Sequence, residues 1–234
     1  MKKILILGAS SDIGQVLTQN YLNKNYNVIA HCNKNPIKFK KIKHKNLKVF
    51  NFDLKKIVSF EKFVNKNKIF NDIDTFISLT GYLKILSYEK TSVKEIYDHI
   101  NVNYLSNYLI TKRVINFMKK KGYGRIVYAS SIGTKFGGSN NSFIYSLSKF
   151  MNEFYPRPYR NLTKNNILIN TLQIGLTDTK LNKIDKNKNM KNRIKLIPLG
   201  RMANIDEVVY YIDFLASNKN TLIANETINI SGGE

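Results

Sequence analysis

Short apolar runs recur along the chain, and segments with helical periodicity separate them. An apolar run of this kind is typical of a parallel strand that is buried on both faces. Strands that alternate with helices predict βαβ units. We therefore expect one α/β domain over residues 1–234, a doubly wound parallel sheet with helices on both faces. The predicted strands are Lys3–Leu7, Asn27–His31, Val49–Phe52, Ile73–Leu79, Arg125–Ala129, Ile167–Leu172 and Glu226–Ile230.

A glycine-bearing turn follows the first predicted strand, and a helical pattern follows the turn. This order predicts a site for the pyrophosphate of a dinucleotide. The glycines let the phosphates approach the main chain, and the start of the helix offers free N–H groups and a positive dipole end. The residues that we expect to contact the phosphates are Gly8, Ser10, Ser11, Asp12, Ile13 and Gly14.

The second predicted strand ends without the acidic residue that commonly binds the adenosine ribose. Asn33 and Lys34 follow the strand instead, and they could face a 2′-phosphate. This favours NADP as the cofactor, although NAD stays open because the alternative is that Lys34 is one more surface lysine. Asp53 and Leu54 follow the third strand and are expected to contact the adenine.

Ser131, Tyr145 and Lys149 form a second candidate site. Tyr145 and Lys149 are four residues apart on a predicted helix, so they share one face. Ser131 follows the strand Arg125–Ala129, and ligands of such sheets bind at the carboxyl ends of strands. A phenol titrates near pH ~10, and a nearby ammonium lowers that pKa. These three groups together predict proton transfer to a carbonyl oxygen that the serine hydroxyl holds.

The Tyr-x-x-x-Lys spacing alone is weak evidence, because Tyr108 and Lys112 repeat it on another predicted helix. We interpret that second pair as chance. The main alternative to an enzyme is a non-catalytic nucleotide-binding or interaction protein that keeps the fold. The complete set of Ser131, Tyr145 and Lys149 argues against that alternative.

The chain is strongly basic, with 38 Lys and Arg against 16 Asp and Glu and a formal net charge of +22. Such a charge is typical of proteins that bind nucleic acid or membranes. However, the lysines are spread along the chain, and the denser clusters at 38–48 and 183–195 lack the aromatic stacking pattern of a single-strand binder. We predict neither a nucleic-acid partner nor a membrane partner, and a small-molecule substrate that could be anionic.

Cys32 is the only cysteine, and three histidines are scattered along the chain. This pattern predicts neither a disulfide framework nor a metal site. No apolar run approaches the ~20 residues of a membrane span, and the apolar start is too short for a signal peptide. We expect a cytoplasmic protein.

These motifs resemble those of the short-chain dehydrogenase/reductase family, in its compact branch with a Rossmann-type fold, over nearly the whole chain. Leu7–Gly14 matches the family motif Thr-Gly-x-x-x-Gly-x-Gly, and Ser78–Gly81 matches its Asn-Asn-Ala-Gly strand end. Ile174–Thr179 matches its Pro-Gly stretch, which ends in a threonine. Pro198–Arg201 and the Ser231–Gly233 segment are similar to the family's 3-oxoacyl carrier-protein reductases.

The resemblance implies NADPH-dependent reduction of a carbonyl to an alcohol by hydride transfer. Tyr145 would donate the proton, Lys149 would lower its pKa and hold the nicotinamide ribose, and Ser131 would polarise the substrate oxygen. Asn103 matches the family's fourth catalytic residue and would hold a water that links Lys149 to solvent. The further cofactor contacts would be Thr80, Gly81, Gly175, Thr177 and Thr179.

The resemblance also implies a homodimer or homotetramer, and a 3-oxoacyl thioester, keto sugar or nucleotide sugar as substrate. Three residues depart from the family pattern: Asp12 replaces a glycine, Leu79 an asparagine and Ile174 a proline. Pro156 and Pro158 are expected to break the helix that usually forms the subunit interface, since proline in a helix interior costs about 3 kcal/mol. The Lys-rich segment after Thr179 is a candidate lid.

Overall fold

The computed structural model describes residues 1–33, 42, 44–185 and 189–234, so Lys34 lies outside the described residues. Within the described part, seven strands form one parallel sheet in the order β3-β2-β1-β4-β5-β6-β7. The strands are β1 Lys3–Leu7, β2 Asn27–Cys32, β3 Leu47–Asn51, β4 Thr75–Ser78, β5 Gly124–Ser131, β6 Ile167–Ile174 and β7 Thr227–Ile230.

Helices cover both faces of the sheet, so the predicted fold class is confirmed. Residues of α1 and α8 pack into one hydrophobic cluster, and residues of α2 and α4 pack into the other. A π-helical turn at Asn101–Leu105 joins α3 to α4. The helices are α1 Asp12–Asn23, α2 Ile57–Lys66, α3 Val93–Ile100, α4 Ser106–Lys121, α5 Phe143–Phe150, α6 Arg157–Arg160, α7 Met190–Lys195 and α8 Ile205–Ala216.

The strand β1 shows why the apolar runs in the sequence are continuous and do not alternate with polar residues. Ile4 and Ile6 pack into the cluster with α1 and α8, whereas Leu5 and Leu7 pack into the cluster on the opposite face. Successive side chains of a strand point to opposite faces, so a strand covered on both sides needs apolar residues throughout.

The order of the strands places a crevice between the carboxyl ends of β1 and β4. From β1 the chain winds outward through β2 and β3, and it then returns to β4 on the other side of β1. Gly8, which follows β1, has φ +78°, and a Cβ added there would lie 2.9 Å from the main-chain carbonyl of Leu79 after β4. Only glycine permits this close approach. Ligands of doubly wound sheets bind at such a switch point.

The predicted break at Pro156 and Pro158 is present. Helix α5 ends at Phe150, a short 3-10 turn covers Met151–Glu153, and the chain is then extended at Phe154. Pro156 precedes α6 as its N-cap, and Pro158 lies in the first turn of α6. Both prolines therefore occupy positions where the missing N–H breaks no helical hydrogen bond.

Gly14 provides a test of how tightly the first turn packs. We expect Gly14→Ala to lower the free energy of unfolding by about 2 kcal/mol or more, as overpacking does. The reason is that the added Cβ would lie 2.7 Å from the main chain of Ala9, although alanine is the better helix former. Chemical denaturation measures the change.

Gly122→Ala is the control for this substitution. An added Cβ at Gly122 meets no atom within 4 Å, and only its φ of +63° is unfavourable. We expect this variant to lose about 1 kcal/mol. An equal or smaller loss at Gly14 would show that the turn is not packed as described.

Candidate active site

A cavity of about 370 Å³ lies at the carboxyl ends of β1, β4, β5 and β6. It brings together residues that the sequence predicted as two separate sites, one for the dinucleotide and one for proton transfer. The predicted residues that line this cavity are Ser11, Asp12, Ile13, Thr80, Gly81, Ser131, Tyr145, Lys149, Gly175, Thr177 and Thr179.

Other predicted residues do not line this cavity. Gly8 and Gly14 shape the turn beneath it, and Asn33 is exposed at the end of β2. Asp53 Oδ1 accepts a hydrogen bond from the Lys55 main-chain N at 3.1 Å. The other predicted residues that do not line the cavity are Ser10, Leu54 and Asn103.

The turn after β1 fits the pyrophosphate of a dinucleotide. Ser11 is the N-cap of α1, and its Oγ accepts a hydrogen bond from the Gly14 N at 3.1 Å. Asp12 and Ile13, the first two residues of α1, line the cavity, so the positive end of the helix dipole lies at its wall. Side chains at Gly8 or Gly14 would collide with main-chain atoms of Leu79 and Ala9.

Asp12 replaces a family glycine, and the structure gives its carboxylate partners. The Lys180 main-chain N donates to Asp12 Oδ2 at 2.8 Å, and Lys180 Nζ lies 3.8 Å from Oδ1. The negative charge beside the phosphate site is thus offset by the segment that follows Thr179. Leu181, Asn182 and Ile184 of that segment also line the cavity, as expected of a cover over the site.

His31 holds the glycine turn, and the sequence analysis did not identify it. The Gly8 N donates to His31 Nδ1 at 3.2 Å, and His31 Nε2 donates to the Phe52 main-chain O at 2.9 Å. This arrangement requires a neutral imidazole with the proton on Nε2. Burial lowers the pKa of His31 to about 4, and its hydrogen bond to Phe52 opposes the shift only in part.

Tyr145 is half-buried on α5 beside Ser131, at the end of β5. Burial raises the pKa of Tyr145 to about 12, while the Ser131 hydroxyl opposes that shift. This is the reverse of the direction expected from the sequence. The expectation assumed an ammonium against the phenol, whereas the dominant influence in the structure is loss of water around the ring.

Lys149 is fully buried, and its Nζ donates a hydrogen bond to the Thr80 main-chain O at 2.7 Å. This contact ties α5 to the turn after β4. Burial lowers the pKa of Lys149 to about 7, and the carboxylate of Glu153 opposes the shift. Lys149 can therefore exchange a proton near neutral pH.

Glu153 is a second residue that the sequence analysis missed. Its carboxylate accepts hydrogen bonds from Ser130 Oγ at 2.5 Å, Thr134 Oγ1 at 2.8 Å and Gln173 Nε2 at 2.9 Å. It follows Lys149 by four residues, a spacing that places both on one helix face. That spacing was the signal in the sequence that could have identified Glu153. The partners on β5 and β6 could not be read from it.

Asn103 is fully buried in the π-helical turn between α3 and α4. Its Nδ2 donates to Ser148 Oγ at 2.9 Å and to the Tyr82 O at 3.0 Å, and its Oδ1 accepts from the Tyr82 N at 2.7 Å. Its main-chain O accepts from the amides of Asn107 and Asn152. These protein partners use its polar atoms, so they give no support to the expected water-holding role.

A second cavity, of about 390 Å³, shares Ser131, Tyr145, Ile174 and Gly175 with the first. Much of its wall is apolar. The aliphatic and aromatic residues that line it are Leu83, Ile85, Ile132, Phe136, Ile174, Leu176, Leu181 and Leu196. Ser131 and Tyr145 thus lie where the cavity beside the glycine turn and a mainly apolar cavity meet.

The pKa of His31 predicts a pH-dependent stability. The pKa of His31 is about 4 in the folded protein and 6.5 in the unfolded chain. The neutral histidine therefore contributes fully to the free energy of unfolding above pH 6.5, and this contribution is lost as the pH falls toward 4. The loss is about 3 kcal/mol at most, from 1.36 kcal/mol per pKa unit. Urea unfolding at pH 7.5 and pH 5 measures it.

His31→Gln isolates this contribution, because glutamine has an amide donor and an acceptor but does not titrate. We expect the variant to lose less stability than the wild type between pH 7.5 and pH 5. Identical losses in the two proteins would contradict a buried neutral histidine at the turn.

Comparison with known proteins identifies the family to which this chain belongs. The short chain dehydrogenase family model matches residues 2–190. An oxidoreductase of Schizosaccharomyces pombe is 32% identical over 176 residues, which cover 74% of this chain and 59% of that protein. A 3-oxoacyl-acyl-carrier-protein reductase of Buchnera aphidicola is 29% identical over 237 residues, which cover 99% of this chain and 87% of that protein.

Solved structures agree with this fold. ElxO with NADP bound superposes with a TM-score of 0.85 at 24% identity, covering 99% of this chain and 98% of that chain. YwfH, an NADPH-dependent reductase involved in bacilysin biosynthesis, superposes with a TM-score of 0.86 at 17% identity. The superposition covers 99% of this chain and 97% of that chain.

Among the described residues, none of the helices is both long enough and apolar enough to cross a membrane. The family match extends over the glycine turn, the strand ends and the helix that carries Tyr145 and Lys149. The chain therefore belongs to the short-chain dehydrogenase/reductase family of nicotinamide-dependent oxidoreductases.

Proposed function

We propose that the protein is an NADPH-dependent reductase that converts a carbonyl to an alcohol, with Tyr145 as the proton donor. The observation that carries this proposal is the convergence of Ser131, Tyr145 and Lys149 on the cavity that the first residues of α1 also line. When bound, the nicotinamide supplies the hydride. The protein supplies the position of the substrate and the proton.

Ser131 and Tyr145 would hold the substrate oxygen between their two hydroxyl groups. With a pKa of about 12, Tyr145 is protonated at neutral pH and can act as an acid. As negative charge develops on the carbonyl oxygen, that oxygen becomes a much stronger base than the phenolate. At neutral pH Tyr145 is therefore in the protonated form that carbonyl reduction requires.

Lys149 would hold the nicotinamide ribose, and it would supply the charge that stabilises the phenolate left after proton transfer. Its contact with the Thr80 O places its ammonium at the end of β4, on the wall of the same cavity. We assign the remaining contacts with the nicotinamide end of the cofactor to Gly81, Gly175, Thr177 and Thr179.

We propose that Asn103 is a positioning residue. It binds Ser148, which directly precedes Lys149, and it binds the main chain of Tyr82 just after Gly81. Through these contacts it would keep α5 and the turn after β4 in a fixed relation. Its role would then be to hold Lys149 against the Thr80 O.

NADPH is the proposed cofactor, and NAD is the alternative. The end of β2 has no carboxylate to repel a 2′-phosphate, and Asn33 is exposed there. Two similar folds are those of ElxO with NADP bound and of the NADPH-dependent reductase YwfH. The strongly positive charge of the chain also favours the more anionic cofactor.

The proposed substrate is a 3-oxoacyl thioester rather than a keto sugar. The Buchnera aphidicola relative carries the name 3-oxoacyl-acyl-carrier-protein reductase. The apolar wall of the second cavity suits an acyl chain better than the hydroxyl groups of a sugar. An anionic carrier would remain outside, near the basic segment that follows Thr179.

Self-association as a homodimer or homotetramer is part of the same proposal. Leu199, Tyr210 and Tyr211 are exposed around a cavity of about 950 Å³ beside β7, which is an edge strand of the sheet. Exposed aromatic and aliphatic residues at a sheet edge favour a protein partner there. A cytoplasmic location stays a prediction.

Tyr145→Phe tests the proton donor. We expect kcat for carbonyl reduction to fall at least about a hundredfold, because the phenylalanine ring cannot donate a proton. The affinity for NADPH should stay within about twofold, since the ring and its packing remain. Nicotinamide absorbance follows turnover, and isothermal calorimetry measures cofactor binding.

Tyr108→Phe is the matched control, because Tyr108 and Lys112 repeat the spacing on α4 but do not line the cavity. This variant should retain wild-type kcat. Full activity of Tyr145→Phe on ketones that the wild type reduces would rule out Tyr145 as the donor.

The pKa of Lys149 predicts how cofactor affinity varies with pH. The lysine is charged below its pKa of about 7 and neutral above it, and an anionic cofactor raises the pKa of a nearby ammonium. Affinity for NADPH should therefore fall as the pH rises from 6 to 8, by up to about tenfold per pH unit. Calorimetry at several pH values measures the slope.

Lys149→Met removes this titration while keeping a side chain of similar length. The variant should bind NADPH more weakly at pH 6 and with a smaller dependence on pH. The same slope in both proteins would mean that Lys149 does not contact the charged part of the cofactor site.

A further inference from the structure

Among the described residues that line the second cavity, Arg193 is the one cation, although the chain has a formal net charge of +22. Its charged lining residues are Asp185, Arg193 and Glu234, which are two carboxylates and one guanidinium. The sequence showed a basic cluster at 183–195 and left open an anionic substrate. Within the cavity, the arginine of that cluster is already paired with a carboxylate.

Arg193 and Glu234 form an ion pair at the cavity wall, between Arg193 Nη2 and Glu234 Oε1. Arg193 belongs to α7, and Glu234 follows the turn after β7. Only 18% and 8% of their side-chain surfaces are exposed. The Glu234 main-chain O is held by Lys135 Nζ and Ser231 Oγ, both at 3.1 Å. These contacts fix the Glu234 end of the pair.

Each partner of this ion pair has one further polar atom without a hydrogen bond among the described residues. These atoms are Arg193 Nη1, a donor, and Glu234 Oε2, an acceptor, and both are buried. Buried polar groups are nearly always hydrogen-bonded in folded proteins. The two atoms belong to residues that line the same cavity as Ser131 and Tyr145.

A donor and an acceptor on the two partners of one ion pair match a neutral amide, whose oxygen accepts from the guanidinium while its N–H donates to the carboxylate. A substrate carboxylate has no proton to donate to Glu234. It would also bring a negative charge close to Glu234 in a site that is partly shielded from water. Like charges in such a site repel strongly, and burying an unpaired charge is unfavourable.

We propose that Arg193 and Glu234 determine substrate charge in the second cavity. They select carbonyl substrates with a neutral amide-type group and reject substrates with a carboxylate at the same place. This inference rests on the proposed reductase function, since it concerns the part of the substrate that does not react. Thioester substrates whose arm contains amide groups satisfy this requirement, with any anionic group kept outside the cavity.

The test compares straight-chain oxo-amides with the oxo-acids of the same carbon skeleton, at spacings of one to four methylene groups between the ketone and the end group. The ratio of kcat/KM for amide over acid reports the preference. At the best spacing, the wild type should favour the amide at least about tenfold. Glu234→Gln should lower the ratio at least about fivefold, mainly through faster reduction of the acid, because Arg193 is then free to bind it.

Arg193→Met should change the ratio in the opposite direction, since it leaves the carboxylate of Glu234 unpaired. Opposite shifts in two variants cannot come from general loss of folding. Glu207→Gln is the matched control, because Glu207 also pairs with an arginine, Arg201, but on the exposed surface outside this cavity. It should keep the wild-type ratio.

Binding of the same compounds to the protein saturated with NADP⁺, measured by calorimetry, separates this inference from the proposed function. If the protein does not reduce either series but binds the amides more tightly than the acids, the reductase proposal is contradicted and the role of the ion pair is supported. The inference would be overturned if Glu234→Gln left the ratio of kcat/KM unchanged. It would also be overturned if the wild type bound the acids more tightly than the amides, or bound neither series.

Discussion

The close contact between the turns after β1 and β4 is the constraint on which the rest of the site depends. Gly8 can lie against the Leu79 carbonyl only because it has no side chain and adopts a positive φ. That contact brings the start of α1 beside Thr80, whose main-chain oxygen accepts the hydrogen bond of Lys149. The glycine turn after β1 and helix α5, which carries Tyr145 and Lys149, therefore meet at one point, and His31 holds the turn from the other side.

Burial then sets the acid–base properties of the groups that meet there. It moves the pKa of Tyr145 up to about 12 and that of Lys149 down to about 7. Two titratable groups whose pKa values are changed in opposite senses are typical of sites that transfer protons. The tyrosine stays protonated and the lysine can exchange its proton at neutral pH. Glu153, which binds Ser130, Thr134 and Gln173, opposes the shift at Lys149.

The sequence predicted the parts of this arrangement that depend on local pattern. Continuous apolar runs located the strands, and the spacing of Tyr145 and Lys149 placed both on one helix face. It did not identify His31, or the pair of Arg193 and Glu234, because their partners are distant in the chain and only the fold brings them together. The direction of the Tyr145 pKa shift was also missed, since it depends on how much water surrounds the ring.

A crystal structure with NADP⁺ and a bound ketone would show whether these groups converge on the reacting carbonyl. The account predicts the ketone oxygen between the hydroxyl groups of Ser131 and Tyr145, with Lys149 Nζ at the nicotinamide ribose. The carbonyl carbon should lie about 3–3.5 Å from the reactive carbon of the nicotinamide ring, the usual separation of reacting atoms. A nicotinamide bound away from Tyr145, or a ketone oxygen held by other groups, would contradict it.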